Sequence, residues 1–515
     1  MKSICLYFQI HQPFRLRTYR FFDIGAEHKY FDSYVNKTIV RRVAEKCYLP
    51  ANKLMLELIR EYGSAFKISY SISGVALDQF RKYSPEVIES FKKLADTGYV
   101  EFLGETYAHS LASLKDENEF RRQVKQHADT IEELFGKRPT TFRNSELIYS
   151  DSIGHVVSQM GFTTMLTEGA KQILGWKSPN YLYCSASDPK LKLLLKNYQL
   201  SDDIAFRFSQ HSWKEWPLTA EKYTHWLSET DPKQEVINLF MNYETFGEHQ
   251  WAETGIFNFL KAFPKQVFAT KQFTFNTPAE LSKILQPISA ISVVDPISWS
   301  DEERDLTAWL GNDLQIEAFN SLYAAAERMS HCKDPELLRD WNWLQSSDHF
   351  YYMSTKWFSD GGTLHSYYNA YNTPYEAFIN YMNVVSDFLI RVDDQLGKVT
   401  DKPKASVKIT TTPKASVKKV QIPDTTKSTL TLGKILRNLA ETELDAILEK
   451  TGARTLALAL WQESTADIAT IQQTLNTKNQ DEFRDLLSQL VAPRKTDLDM
   501  ARKSLLREVK KLKSK

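Results

Sequence analysis

The chain has 515 residues, 42% apolar, 25% charged and 12% aromatic, which is enough to bury a large core and too long for one ordinary domain. Its formal charge is only +1, but residues 1–397 hold 42 Lys and Arg against 50 Asp and Glu, net −8, while residues 398–515 hold 23 against 14, net +9. An acidic body argues against nucleic acid as its ligand, and no run approaches the roughly 20 apolar residues needed to span a membrane.

The start, Met1 to Phe14, is a short apolar run broken by His11 and Gln12, with no small-residue cleavage site after it. A secretory signal is not expected, and cytoplasm is the default compartment. Cys5, Cys47, Cys184 and Cys332 stand far apart without metal-type spacing. They read as free thiols, and neither a disulfide framework nor a zinc site is suggested.

Short β-branched and aromatic runs then alternate with helical patterns through the first roughly 300 residues, the mark of βαβ units on a parallel sheet. Strands are expected at Ser3–Gln12, Phe66–Ser73, Val100–Gly104, Thr140–Arg143, Thr163–Thr167 and Val236–Tyr243, with helices such as Ser84–Thr97 and Glu117–Phe135 following them. No glycine-rich phosphate turn follows the first strand, and polar residues recur just past strand ends. A closed barrel fits this better than an open sheet.

Those strand ends carry the chemistry. His11 and Gln12 close the first strand, and the run Glu101 to His109 places Glu101, Glu105 and His109 around a glycine turn. This run reads equally as a solvated turn with Glu105 near a helix start. In Phe142 to Tyr149 an apolar strand ends in Arg143-Asn144-Ser145-Glu146 and returns at once to apolar residues. Glu146 is thereby presented at the barrel mouth, where Arg143 would help to keep it ionised. Val236–Met241 is a continuous apolar run ending in Asn242-Tyr243-Glu244-Thr245-Phe246-Gly247-Glu248-His249. Strand alternation places Asn242 and Glu244 on one side and Tyr243 on the other. Trp176, Trp213, Trp216 and Trp251 fall in loop-like segments, either as packing or as platforms for sugar rings. Paired carboxylates and aromatic platforms suit glycoside chemistry, in which one carboxylate attacks the anomeric carbon and another protonates the leaving oxygen.

From Leu306 to about residue 395 the pattern turns helical and rich in aromatic residues. Residues 396–430 hold Lys, Thr, Pro and Ser, no aromatic residue, and the hexapeptide Pro-Lys-Ala-Ser-Val-Lys twice, as a flexible linker would. Residues 431–515 show Leu and Ile at helical spacing with a basic end. The expectation is a small helical module open to an acidic protein partner.

Five ordered motifs resemble those of glycoside hydrolase family 57: His11-Gln12-Pro13; Gly98 to Thr106; Arg143 to Tyr149; Tyr243 to His249; and Trp299-Ser300-Asp301 with Arg304 to Asn312. The fourth motif and the later Ser347-Asp348-His349-Phe350-Tyr351 resemble the α-amylase branch. The resemblance covers about residues 1–390 and implies an α/β fold: an incomplete (β/α)7 barrel, residues 1–305, followed by a helical bundle, 306–395, that completes the cleft. It implies α-1,4-glucan or maltooligosaccharide as partner, hydrolysed or transferred by a retaining mechanism without a metal. Glu146 matches the nucleophile. Further expected substrate-binding positions are His11, Gln12, Glu105, Arg143, Glu244, His249, Trp216, Trp299, Asp301 and Asp348.

The general acid/base of the fourth motif should be an Asp immediately before Tyr243, and this chain has Asn242. An amide has no proton to give near neutral pH, so hydrolysis of unactivated glucans is expected to be weak or absent. Asn is nearly isosteric with Asp, so glucan binding is expected to survive. A glucan-binding barrel, an acid-to-amide exchange that traps complexes, and rescue by Glu244 or Glu248 all remain open at this point.

Overall fold

The computed structural model describes residues 1–300, 302–356, 369–397 and 453–460, together with isolated positions between 436 and 505. Two compact units divide the chain, Met1–Pro403 and Lys404–Lys515. The first holds the strands β1 (Lys2–Ile10), β2 (Ile68–Ile72), β3 (Val100–Phe102), β4 (Thr141–Arg143), β5 (Thr164–Glu168), β6 (Tyr183–Ser185), β7 (Lys192–Lys196), β8 (Val236–Asn242), β9 (Phe273–Phe275) and β10 (Ala290–Ile291).

One sheet runs β3-β2-β1-β8, with β9 paired to the start of β1, and the other runs β10-β6-β7-β5-β4. Among the described residues all strand pairings are parallel except β6 with β7. The sheets meet at two seams. At one, Gly104 N–H donates to Thr141 O and Arg143 N–H to Gly104 O, each at 2.9 Å, so β3 abuts β4. At the other, Asn197 N–H donates to Asn238 O at 2.9 Å, and the Asn238 side-chain amide donates to Leu195 O at 2.9 Å. A side chain thus replaces ladder bonds between β7 and β8. No continuous ladder closes the ring, and the fold is the incomplete barrel expected.

Local sequence explains the elements. Beyond Lys2, β1 is buried throughout, because a parallel strand is covered on both faces and needs no polar alternation. Helix Glu117–Phe135 starts where the Asp116 side chain accepts from Glu119 N–H and stops at Gly136, which takes φ 77°. Between them Phe120, Val124, Ala128 and Ile131 recur at helical spacing and are buried. The unexpected strands β6, β7, β9 and β10 have two to five residues, too few for alternation to register. Lys-Leu-Leu-Leu-Lys in β7 reads equally as helix.

Beside a smaller apolar cluster that includes Tyr7, Leu103, Leu166, Leu194 and Phe240, two large ones pack the first unit. One joins β1, β2 and β8 to their helices. The other joins Phe142 of β4 and Met165 of β5 to Trp309, Trp341, Phe350, Tyr381 and Phe388. The last five residues lie on helices Thr307–Leu310, Pro335–Leu344, Ser347–Tyr351 and Pro374–Leu396. Residues on both sides of position 305 thus share one apolar cluster. That shared core carries helix Ser347–Tyr351 to the barrel mouth, where Ser347 N–H donates to His109 O at 3.0 Å.

The linker expected over 396–430 lies outside the described residues beyond Gly397. In the second unit, helix Ala453–Leu460 is described, and Leu436, Leu444, Ile447, Leu456 and Leu460 are buried. Among the described residues no helix is long and apolar enough to cross a membrane.

Candidate active site

The site begins where β4 ends. After Arg143 the chain enters the short turn Ser145–Leu147, in which Glu146 and Leu147 adopt φ 57° and φ 53°. Residues with a Cβ occupy this left-handed region at a cost of about 1–3 kcal/mol each, and do so mainly at functional sites. The turn is held by Ile148 N–H to Ser145 O at 3.0 Å and by the Asn144 amide to Ile148 O at 3.0 Å. Its effect is to turn the Glu146 carboxylate into the barrel mouth.

That carboxylate is fully engaged. Trp299 Nε1–H donates to Oε2 at 2.7 Å, Ser347 Oγ–H donates to Oε1 at 2.7 Å, and His109 Nε2 stands 3.4 Å from Oε1. Burial alone would raise the Glu146 pKa. The bond and charge of His109, with help from Arg143 and Ser347, outweigh it and hold the carboxyl well below the usual carboxylate range. Arg143 contributes as anticipated, although His109 is the larger influence.

His109 lies between two acids, with Nδ1 at 2.9 Å from Glu105 Oε2 and its other nitrogen facing Glu146. Burial disfavours its charge, yet the two carboxylates lift its pKa from 6.5 to about 9, so the ring is an imidazolium at neutral pH. Glu105 also accepts from Gln9 Nε2 at 3.1 Å. It is buried in irregular chain before helix Glu117–Phe135, which corrects the solvated helix-start reading. His11 stacks on His109 with ring centroids 4.0 Å apart. Its nitrogens face Ser73 Oγ at 2.7 Å and Asp348 Oδ2 at 2.8 Å. Burial and the charge of His109 lower its pKa against the pull of Asp348, giving one charged and one neutral ring in contact.

A cavity of about 90 Å³ opens over this cluster and is lined by His11, Gln12, His109, Arg143, Glu146, Asn242, Glu244, His249, Trp299 and Asp348, among others. A smaller cavity of about 40 Å³ adjoins it, sharing Arg143, Asn242, His249 and Trp299 and reaching Lys196 and Asp202. Strand β8 ends at Asn242, and Tyr243–Thr245 form a tight turn. Asn242 and Glu244 therefore share the cavity through that turn, which corrects the alternation argument. Asn242 is exposed and Glu244 buried. Gly247, just past that turn, allows the chain to pass close under the helical segment Ala44–Tyr48: at φ 110° an added Cβ would sit 2.0 Å from Lys46 O.

Burial raises Glu244 to about 7, against the Tyr48 hydroxyl that donates to it at 2.5 Å. Glu248 is buried and bound by Arg42 at 2.7 Å, and it is not part of the cavity lining. Arg143 is buried, with Nε and Nη1 lacking hydrogen-bond partners among the described residues. Trp216 is exposed and stacks on His211 at 4.2 Å, away from the cavity. Asp301 lies outside the described residues.

Three charged residues that sequence reasoning missed stand behind Trp299. Lys196, at the end of β7, donates to Asp202 at 2.9 Å and lies 5.8 Å from the centre of the Trp299 ring. Glu168, its register partner at the end of β5, is buried, and burial raises it to about 7 despite Lys196 and Arg304 nearby. The only sequence signal was an apolar run ending in a charge. The unrecognised β7 hid their pairing.

The buried, ionised carboxylate at a barrel strand end, stacked histidines and a Trp-lined cleft invite comparison with known proteins. Residues 5–293 match Glycosyl hydrolase family 57. The chain belongs to this family. It is 42% identical over 407 residues to the "Putative alpha-amylase" of Methanocaldococcus jannaschii, covering 76% of this chain and 85% of that protein. Among solved structures, the 4-alpha-glucanotransferase of Thermococcus litoralis superposes with TM-score 0.55 at 12% identity, over 75% of this chain and 59% of that one. The family 57 branching enzyme of Thermococcus kodakaraensis also gives 0.55, at 14% identity, over 77% and 92%. At such identities the structural likeness concerns the fold alone. Family membership makes the chain an α-amylase-like glycoside hydrolase by descent.

Proposed function

We propose that the barrel holds α-1,4-glucan chains in a retaining-type site, with Glu146 in the nucleophile's position, and that Asn242 reduces hydrolysis of unactivated glucans to a low level. The observation that carries this reading is one cavity lined by both residues, one ionised and the other without a titratable proton. In a retaining reaction the first carboxylate attacks the anomeric carbon while a second group protonates the departing oxygen. Glu146, kept anionic by His109, Trp299 and Ser347, suits the first role. Asn242 retains the shape of the second and its hydrogen-bond donor, but not the proton. General acid/base catalysis is worth about 10²–10⁴-fold.

Release of reducing ends from maltoheptaose tests the proposal. The unsubstituted chain is expected to bind the oligosaccharide and cleave it slowly or not at all, and Asn242→Asp is expected to gain about 10²–10⁴-fold. A chain that binds but stays inactive with Asp at 242 would make the barrel a glucan-binding protein only.

Glu244 supports a second reading. It lines the same cavity and is raised to about 7, so a fraction is protonated at neutral pH. Full hydrolysis by the unsubstituted chain, abolished in Glu244→Gln, would establish Glu244 as the proton donor. The body's acidic balance favours a neutral polymer over nucleic acid, and cytoplasm is its proposed compartment. An acidic protein is the proposed partner of the basic C-terminal module.

A further inference from the structure

A buried lysine that the proposed reaction does not use closes β7. The last four residues of the strand are buried, and the Lys196 side chain is only 5% exposed. An ammonium taken out of water needs a partner, and Asp202, on helix Tyr198–Ala205, accepts from it at 2.9 Å. Glu168 of β5 stands 4.0 Å away, beyond hydrogen-bond reach. An ammonium carries three N–H donors, so among the described residues Asp202 satisfies one of them. The same ammonium lies 5.8 Å from the centre of the Trp299 ring, within the reach of about 6 Å over which a cation is attracted to an aromatic face.

Trp299 is tied to Glu146 twice. Its backbone N–H donates to Glu146 O at 3.2 Å, and its Nε1–H donates to the carboxylate at 2.7 Å. Its carbonyl accepts from the Arg304 guanidinium. These bonds act on the peptide and on the indole edge, and Lys196 acts on the ring. Lys196, Asp202 and Trp299 all line the small cavity that reaches Asn242, and Trp299 also lines the cavity over Glu146.

The physics of the contact has a direction. An aromatic face is negative and its edge positive, so a cation against the ring draws electron density inward and makes the indole N–H a stronger donor. In a site with little water such polarisation passes along a chain of contacts, here from Asp202 through Lys196 and Trp299 to Glu146. Among the described residues no hydrogen bond or ion pair joins Lys196 to Glu146, and the indole is the group that touches both.

We infer that Lys196 is a positioning residue for the Glu146 carboxylate, acting through Trp299. Anchored by Asp202 and set against the indole, its ammonium fixes the ring and strengthens the Nε1–H bond that Glu146 accepts. The inference rests on the reading of Glu146 as nucleophile. Its consequence falls on turnover and not on substrate affinity, because the bond it supports orients the attacking carboxylate.

Fluoride release from α-maltosyl fluoride, whose leaving group needs no protonation, tests this in the full chain. Lys196→Met is expected to lower kcat roughly tenfold with KM unchanged, and Lys196→Arg to restore most of it. In the Trp299→Phe background the same Lys196→Met step should change kcat by no more than roughly twofold, since the bond it acts on is gone. Lys196→Met with Asp202→Asn repeats the comparison without leaving an unpaired carboxylate in the fold. Equal kcat in Lys196→Met and the unsubstituted chain, or a tenfold loss that persists beside Trp299→Phe, would overturn the inference. Hydrogen exchange of the Trp299 indole, read by NMR as the resonance missing from Trp299→Phe, tests the positioning without any turnover. It should quicken roughly tenfold in Lys196→Met while the buried indoles of Trp309 and Trp341 keep their rates. Unchanged exchange at Trp299, or equal quickening at all three, would overturn the inference. Quickening at Trp299 alone, in a chain whose fluoride release survives Glu146→Gln, would uphold the positioning and overturn the nucleophile instead.

Discussion

Replacing His109 by Asn removes the charge that joins Glu105 to Glu146, and its effect on stability is calculable. The ring is 3% exposed and lies 2.9 Å from one carboxylate and 3.4 Å from the other. Its pKa rises from an ordinary 6.5 to about 9 in the fold, which corresponds to about 3 kcal/mol of preference for the charged form. A raised folded-state pKa contributes stability that is fully present below the unfolded value and is lost as pH rises through the folded one. The unsubstituted chain should therefore exceed His109→Asn by about 3 kcal/mol near pH 6, with the gap closing between pH 6.5 and 9 and small above pH 10. Urea unfolding of both proteins across pH 5.5–10 measures it. Arg143, Glu105, Glu146 and the stacked His11 face the same ring, so the substitution also frees two acids to compete for protons. A gap that is constant in pH, or that widens upward, would refute the ion-pair account and leave His109 as packing.

Glu168 should shift stability in the same direction through a lower pH window, for a different reason. Burial raises it to about 7, so the unfolded chain releases this proton first and stability falls between about pH 4.5 and 7. Glu168→Gln should cancel that loss, gaining about 3 kcal/mol at pH 8 relative to pH 4 in the same denaturant experiment, and no relative gain would contradict it. Trp299→Phe keeps the ring but removes the 2.7 Å bond to Glu146. A hydrogen bond to a charged group is worth about 1.5–3 kcal/mol, so in the Asn242→Asp background kcat/KM on maltoheptaose should fall about 10–100-fold, and an unaltered value would remove Trp299 from the nucleophile's support.

Much of this architecture was legible because barrels place chemistry where strands stop. His11, Glu105, Arg143, Glu146 and Asn242 could each be located by an apolar run giving way to polar residues. The sheet order could not be read, because β9 and β10 are too short to carry periodicity and the β7 to β8 seam depends on one buried amide, Asn238. The Glu168 and Lys196 pairing is a register contact between strands with another strand between them in sequence, and local pattern holds no trace of it. Trp216 shows the reverse failure. An aromatic residue in a loop signals a platform, but only tertiary structure says which cavity it meets, and Trp216 meets His211 instead.

The exchange at position 242 is also inexpensive for the fold, and this bears on what the chain retains. Asn242 is exposed at the end of β8, whereas the ion pairs that organise the cleft run from Glu105 through His109 to Glu146, beside the His11 to Asp348 hydrogen bond. Asp in place of Asn at such a surface changes stability by about 0.5 kcal/mol or less. The buried cluster is the costly part, since removing one partner of a buried charge pair costs roughly 3–5 kcal/mol and an apolar replacement of the whole is often neutral or better. Glycan binding of itself needs no ionised, left-handed Glu146 under an imidazolium. On the proposed reading, retention of that arrangement beside an amide separates the two halves of a retaining reaction: the carboxylate that would meet positive charge developing at an anomeric carbon is in place, and the proton that would release an ordinary sugar is missing.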